Sequence, residues 1–292
     1  MKRNDYLYLD HAATTPMRES ALEAFKNAEE FAYANSAGGH ELSRRAKNLL
    51  EESRDFIASY FGAAPSEITF TSGGTESDIL ALKGSGPSQI LISSIEHDAV
   101  LAAVPEASRI LVSEDGLVDL NHLRTLLKET TKPSLISVMW ANNETGAIQP
   151  IEEITALASD VGALVHVDGV QALGKIPIDF SNSGIDMLSV SAHKIGGPTG
   201  VGALIIRDSL PVKPILVGGG QERGRRSGTE NLSGIVGFGA AAKACKMQLG
   251  ENLEVTQLRD MFEKTILEKA LGAKIIAQGV ERLGNTLSLI HI

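Results

Sequence analysis

The chain has 292 residues and a single cysteine, Cys245. One thiol can build neither an intramolecular disulfide nor a cysteine-cluster metal site, and such sparing use fits a reducing compartment. No apolar run reaches the ~18 residues that a membrane-spanning helix needs. The first residues, MKRNDYLYLDHAATT, are basic but lead into no apolar stretch, so they do not read as a secretory signal. Positive charge is in deficit: 27 Lys and Arg against 36 Asp and Glu leave a net charge of −9. That is the opposite of a nucleic-acid footprint. Internal repeats and low-complexity linkers are absent too. A content of 43% hydrophobic and 22% charged residues excludes disorder, a coiled coil and a fibrous protein. What remains is a soluble, cytoplasmic globular chain of one large or two modest domains, at ~150 residues per domain.

The chain is rich in clustered glycine, 29 residues in all. It also alternates short apolar runs with longer amphipathic ones. The runs predict strands at Ile68–Phe70, Gln89–Ser93, Arg109–Val112, Leu135–Trp140, Ala163–Val167, Met187–Val190 and Val201–Ile206. Several, such as LISVMW and ALVHV, are continuously apolar, as strands buried on both faces of a parallel sheet are. Between them, helical spacing covers Arg18–Ala34, Glu41–Phe61, Thr75–Lys83, Asn121–Glu129 and Ile151–Val161. This alternation predicts an α/β sheet with helices on both faces, and ligands in such sheets sit beyond the strands' carboxyl ends. From Leu232 onward the pattern is almost wholly helical until a short apolar run, Lys274–Ala277, read as a strand. A domain boundary is expected between residues 245 and 255.

Three segments could carry chemistry. In ITFTSGGTES, residues 68–77, a strand runs into Ser72-Gly73-Gly74-Thr75 and then a helix. Glycines let backbone N–H groups close round an anion at the positive end of a helix; the alternative is a plain glycine turn capped by Thr75. In VHVDGVQALGK, residues 165–175, Asp168 ends an apolar strand and Gln171 comes three residues later. Asp168 could pair with a buried cation or protonated ring nitrogen, or could cap the next helix. In DMLSVSAHKIGGPTGVGALIIR, residues 186–207, a strand ends in Ser191-Ala192-His193-Lys194 before a glycine-rich turn. A lysine is ordinarily solvated surface, but a desolvated one near other cations becomes a nucleophilic amine of the Schiff-base kind. Anion cradle, strand-end aspartate and buried lysine are the parts a pyridoxal-phosphate site requires.

Eight segments stand in order between residues 6 and 286: YLDHAATTPM, NSAGGHELSRRA, TFTSGGTES, SSIEHDAV, WANNETGAIQPI, VHVDGVQALGK, SAHKIGGPTGVG and GGGQERGRRSGTEN. Together they are similar to the NifS/IscS-type cysteine desulfurases of the class V aminotransferase group, which depend on pyridoxal 5'-phosphate. The last segment resembles the NifS/IscS branch rather than the SufS branch. The resemblance implies a fold-type-I architecture: a large domain with a mostly parallel seven-stranded sheet flanked by helices, plus an incomplete small α/β domain. It divides the chain into residues 1–15, associated with the small domain, a cofactor domain at 16–250, and the start of the small domain at 251–286.

The resemblance assigns roles residue by residue. Lys194 holds the cofactor and is catalytic, and His97 lies over the ring and moves protons. Asp168 pairs with the ring nitrogen and Gln171 with the ring hydroxyl. Gly74, Thr75, Ser191 and His193 hold the phosphate, and Thr229 reaches the phosphate in the partner subunit of a homodimer. Asn143 contacts cofactor or substrate, and Asn35 lies near the substrate, L-cysteine. No metal is implied. Read without the resemblance, His97 is a strand-end surface histidine, and Asn142 and Asn143 are turn formers. Arg223, Arg225 and Arg226 are either a solvated run or hold a phosphate or carboxylate. His11 and His40 are read as turn residues without a role.

The resembled reaction converts L-cysteine to L-alanine and leaves sulfur on an enzyme cysteine as a persulfide, for iron–sulfur clusters and thio-cofactors. That cysteine and a substrate-carboxylate arginine lie in the family beyond the equivalent of residue 286. Cys245 is no substitute: Phe238, Ala242, Cys245 and Leu249 form one apolar helical stripe, which reads as a packed, inert thiol. Resemblance stops at Leu287, and residues 287–292, LSLIHI, read as a non-native tail such as a translated sequencing adapter. The chain as given is therefore expected to bind the cofactor, expose apolar surface on its small-domain stub and release no sulfur. Other readings are another class V enzyme, a selenocysteine lyase or aminotransferase, and a non-catalytic cofactor-binding scaffold.

Overall fold

The computed structural model describes residues 7–130, 133–249 and 253–288. Seven strands form one sheet: β1 (Ile68–Thr71), β2 (Gln89–Ser93), β3 (Ser108–Ile110), β4 (Ser134–Met139), β5 (Leu164–Asp168), β6 (Met187–Ser191) and β7 (Gly202–Ile206). Their spatial order is β1-β7-β6-β5-β4-β2-β3. Pairings from β3 across to β6 are parallel, and β7 runs antiparallel to both β6 and β1. The expected mostly parallel, seven-stranded α/β sheet is what the chain forms.

Eight helices accompany the strands among the described residues: α1 (Glu19–Ala32), α2 (Glu41–Phe61), α3 (Gly74–Gly84), α4 (Asp98–Ala103), α5 (Leu120–Glu129), α6 (Ile151–Val161), α7 (Leu232–Gln248) and α8 (Leu253–Lys269). They cover both faces of the sheet. In β4, Leu135 packs with Met187, Leu204 and Ile206 beneath α3 and α4. Its neighbours Ile136 and Val138 face the larger core, shared with α1, α2, α5, α6 and α7. Every β4 residue is consequently buried, which explains the continuous apolar run, since each face meets a helical layer.

α7 ends at Gln248 and α8 begins at Leu253. The two helices differ in kind. α7 buries Leu232, Ile235, Phe238, Ala241, Ala242 and Cys245, whereas the one buried residue of α8 is Glu263. Glu263 is held by a two-pronged pair with Arg282, at 2.9 and 2.8 Å. Leu258, Met261 and Phe262 of α8 stay exposed.

One expectation is corrected. Residues 274–277 form no strand; they run into a turn, with Ala277 at φ +58°. A strand needs a neighbour's free edge. The backbone that docks beyond β4 is instead 281–283, where Ile148 N–H donates to Glu281 O at 3.0 Å and Leu283 N–H to Gly146 O at 2.9 Å. Parts of the N-terminal segment (1–6), of the small domain's start (251–252) and of the tail (289–292) lie outside the described residues.

Candidate active site

The carboxyl ends of β4, β5 and β6 and the start of α3 converge on a cavity of about 650 Å³. Nine residues singled out from the sequence line it: Gly74, Thr75, His97, Asn143, Asp168, Gln171, Ser191, His193 and Lys194. Asn35 and Thr229 do not. Asn35 is exposed and accepts from Ala37 N–H at 2.9 Å. Thr229 borders a separate, smaller pocket beside Ser72 and Arg226.

The anion cradle is built at the N-terminus of α3. A Cβ on Gly74 would come within 2.8 Å of Val170 Cγ2, so only glycine permits this close approach of the strand-end turns. Thr75 does not cap the helix; the N-cap is Gly73, and Ser72 N–H donates to Glu76 at 2.8 Å. Next to the cradle, Ser191 Oγ is buried without a hydrogen-bond partner among the described residues. A buried hydroxyl left unpaired is unfavourable and marks a place for a polar ligand atom.

Lys194 sits in a single helical turn, Ala192–Ile195, directly after β6. Its Nζ donates to the carbonyls of Ala12 and Ala13. Burial pushes the amine's pKa down, with Asp168 and Asp10 opposing. His193 is lowered too, by burial and then the Lys194 charge, and its Nδ1 lies 3.2 Å from Thr14 Oγ1. Asp168 both ends β5 and caps the next turn, accepting from Val170 N–H at 2.9 Å. The two readings of Asp168 are thus compatible. Burial raises its pKa while His97 and Lys194 pull it back. His97 caps α4, its Nδ1 accepting from Ala99 N–H at 3.1 Å. That leaves Nε2 as the protonated nitrogen of the neutral ring.

Behind Asp168 lies a buried acidic cluster that the sequence pattern did not reveal. Asp78, one helical turn after Gly74, lines the cavity at 1% exposure. Burial first, and Asp168 second, raise its pKa well above the carboxylate range. Burial pushes Glu96 up to about 8, with Asp168 adding and the Ser93 hydroxyl and Met139 N–H opposing. His166, clamped between Ser137 and Ser189 at 2.9 Å each, is pushed down to about 3 by burial. Burial therefore favours the protonated forms of Asp78 and Glu96 and the uncharged form of His166, while the Val170 N–H bond and the neighbouring His97 and Lys194 favour the ionised form of Asp168.

The remaining candidates divide clearly. Asn142 is a turn former, its Oδ1 accepting from the N–H groups of Glu144 and Thr145, while Asn143 faces the cavity. Arg223, Arg225 and Arg226 turn to Pro65 O, Ser66 O and Glu76 respectively and leave the main cavity alone. His40 caps α2, and His11 stacks edge-on against Tyr8. Cys245 is 3% exposed, receives Arg18 Nη2 at 3.3 Å, and has a pKa raised by burial. It is a packed thiol, as its helical stripe suggested.

A mostly parallel sheet with lysine, aspartate and a glycine cradle at its strand ends defines a class of α/β transferase. The Aminotransferase class-V family matches residues 7–285. Cysteine desulfurase IscS of Dictyoglomus turgidum is 38% identical over 302 residues, covering 99% of this chain and 76% of the relative. The structure of a NifS-like protein from Rickettsia africae superposes with a TM-score of 0.91 at 38% identity, over 95% of this chain and 79% of that one. SspA, solved in complex with cysteine, gives a TM-score of 0.79 at 33% identity over 89% of this chain and 78% of its own. The chain belongs to the class V aminotransferase family and, within it, groups with the cysteine desulfurases of the IscS and NifS kind.

Proposed function

We propose that this chain is the cofactor- and substrate-binding body of a pyridoxal 5'-phosphate-dependent L-cysteine desulfurase. The observation that carries the reading is the convergence of Lys194, Asp168 and the Gly74 cradle on one cavity. The donor set fits the cofactor: a glycine-lined helix N-terminus and an unpaired Ser191 hydroxyl suit a phosphate. The Asp168 carboxylate suits a protonated ring nitrogen, and a lowered-pKa amine suits a carbonyl. When bound, the cofactor supplies an electron sink for bond cleavage next to the substrate amine.

The protein's own groups have distinct tasks in this reading. Gly74, Thr75, Ser191 and His193 bind the phosphate. Asp168 pairs with the ring nitrogen and keeps it protonated. Gln171 binds the ring hydroxyl through its amide N–H, and Asn143 orients cofactor or substrate. Lys194, eased toward its neutral form by burial, is the nucleophile and afterwards a base. His97 moves a proton through Nε2. Thr229 acts at the partner's site in a homodimer, and Asn35 lies near the substrate.

The overall reaction is L-cysteine plus a thiol giving L-alanine plus a persulfide, passed on to an acceptor protein of iron–sulfur assembly. Cys245 is sealed in the core and is not the receiving thiol in this reading. The protein is proposed to be cytoplasmic, without a nucleic-acid or membrane partner; no described helix is long and apolar enough to cross a membrane. Adding L-cysteine to the cofactor-loaded protein is expected to change the cofactor spectrum and yield no sulfide. No spectral response would contradict the substrate assignment, and sustained sulfide release would contradict the role denied to Cys245.

A further inference from the structure

A second lysine sits beside the cavity with no task in the proposed reaction. Lys175 comes after Asp168 in a run of tight turns from Gly169 to Ile176, in which Ala172 and Leu173 N–H both donate to Gly169 O at 3.0 Å. Gln171 and Lys175, four residues apart, therefore share one side of that turn. The turn is locked by close packing. Gly174 has φ +74°, and a Cβ there would lie 2.8 Å from Ile195 Cγ2 and 3.0 Å from Cys245 Sγ. Ile195 is the residue after Lys194, so one packed unit places both lysines.

A lysine ordinarily keeps its ammonium in water. Lys175 instead turns inward and donates to Gln171 Oε1 at 2.7 Å. The other end of the same amide, Nε2, donates to Ala12 O at 2.9 Å, the carbonyl that also accepts from Lys194. An ammonium offers only donors and a carbonyl only acceptors. Both neighbours therefore demand the same amide orientation, with oxygen toward Lys175 and N–H toward the cavity. Were the amide reversed, its oxygen would face whatever anionic atom binds there.

We infer that Lys175 is a positioning residue: by engaging Gln171 Oε1 it fixes the amide N–H toward the cavity, ready for an acidic ring oxygen of the cofactor. The inference rests on reading that cavity as a pyridoxal-phosphate site. Burial, with the Lys194 charge adding, pushes the Lys175 amine down to about 8, so keeping an ammonium here is costly and the bond to Gln171 Oε1 helps to offset that cost.

The test is titration of the cofactor-free protein with pyridoxal 5'-phosphate, reading the dissociation constant from absorbance. Lys175→Met is expected to weaken binding on the order of tenfold, the loss of one charge-assisted orientation. In a Gln171→Leu background the same change is expected to alter binding by no more than about twofold, because the amide it orients is gone. Equal weakening in both backgrounds, or none in either, overturns the inference, since a merely structural role does not depend on Gln171. If Lys175→Met does not fold, Lys175→Gln, one atom too short to reach Oε1, is read in the same cycle. Wild-type protein that binds no cofactor at Lys194 would overturn the site reading itself, and this inference with it.

Discussion

Arg54 Nη1 and Nη2 donate to the two oxygens of Glu222 at 2.8 and 2.9 Å, with both side chains 3% exposed or less. The same carboxylate accepts from Phe70 N–H in β1, and Arg54 also donates to Ile68 O. This pair ties the loop that bears Thr229 to α2 and to the edge strand β1. Glu222 and Arg223 take left-handed backbone, φ 49° and 56°, although neither is glycine. That strain is held in place by the buried fork.

Removing one partner leaves an uncompensated buried charge. Arg54→Ala is expected to destabilise the fold by ~3–5 kcal/mol in urea unfolding. Arg54→Lys, which cannot make the planar fork, should recover only part of the loss. Full recovery by lysine would show that charge alone holds the loop.

Glu96 and His166 give opposite pH dependences. Folded Glu96 holds its proton up to about 8 while the unfolded chain releases it near 4.5, so its ionisation lowers stability as pH rises across that interval. His166 is protonated near 6.5 when unfolded but only near 3 when folded, so stability rises with pH between those values. Above 6.5 the Glu96 slope stands without opposition from His166. Glu96→Gln keeps the acceptor for Met139 N–H and removes the ionisation. Its advantage over wild type should grow between pH 6.5 and 8 by up to ~1.4 kcal/mol per unit. Parallel stability curves would contradict the protonated state assigned to Glu96.

The two C-terminal helices should respond differently to truncation. Phe238→Ala in α7 removes a fully buried ring and is expected to cost ~3–5 kcal/mol. Met261→Ala in α8 removes a side chain that is 60% exposed and should shift stability by no more than ~0.5 kcal/mol. Comparable losses would mean that α8 is covered in solution.

Cys245 should behave as an inert thiol. In the folded protein a thiol-specific chromogenic reagent is expected to label it only after unfolding, because burial both blocks access and disfavours the thiolate. Rapid labelling under native conditions would reopen Cys245 as a sulfur acceptor.

The sheet was legible because β4 and β5 are predominantly apolar on both faces, and the site because its residues fall at strand ends. What was not legible depends on contacts distant in sequence. α4 has only six residues, too few for a helical period to register. The apolar run 274–277 looked like a strand, but the backbone that docks is 281–283, and no local pattern distinguishes the two. Asp78 lies in α3 and Glu96 in the loop after β2, and no local pattern marks either as a neighbour of Asp168. Lys175 lies within the VHVDGVQALGK motif, yet its bond to Gln171 needed the turn that Gly174 closes against Cys245. Asn35 and Thr229 came from the resemblance alone, and they lie outside their own chain's cavity.

The most direct test of the account is the visible absorbance of the protein titrated with pyridoxal 5'-phosphate, compared between wild type and Lys194→Ala. A visible band is expected in the wild type and should be lost in the variant, with folding of the variant checked by circular dichroism. An unchanged band in folded Lys194→Ala would contradict the assignment of Lys194 and the site built around it.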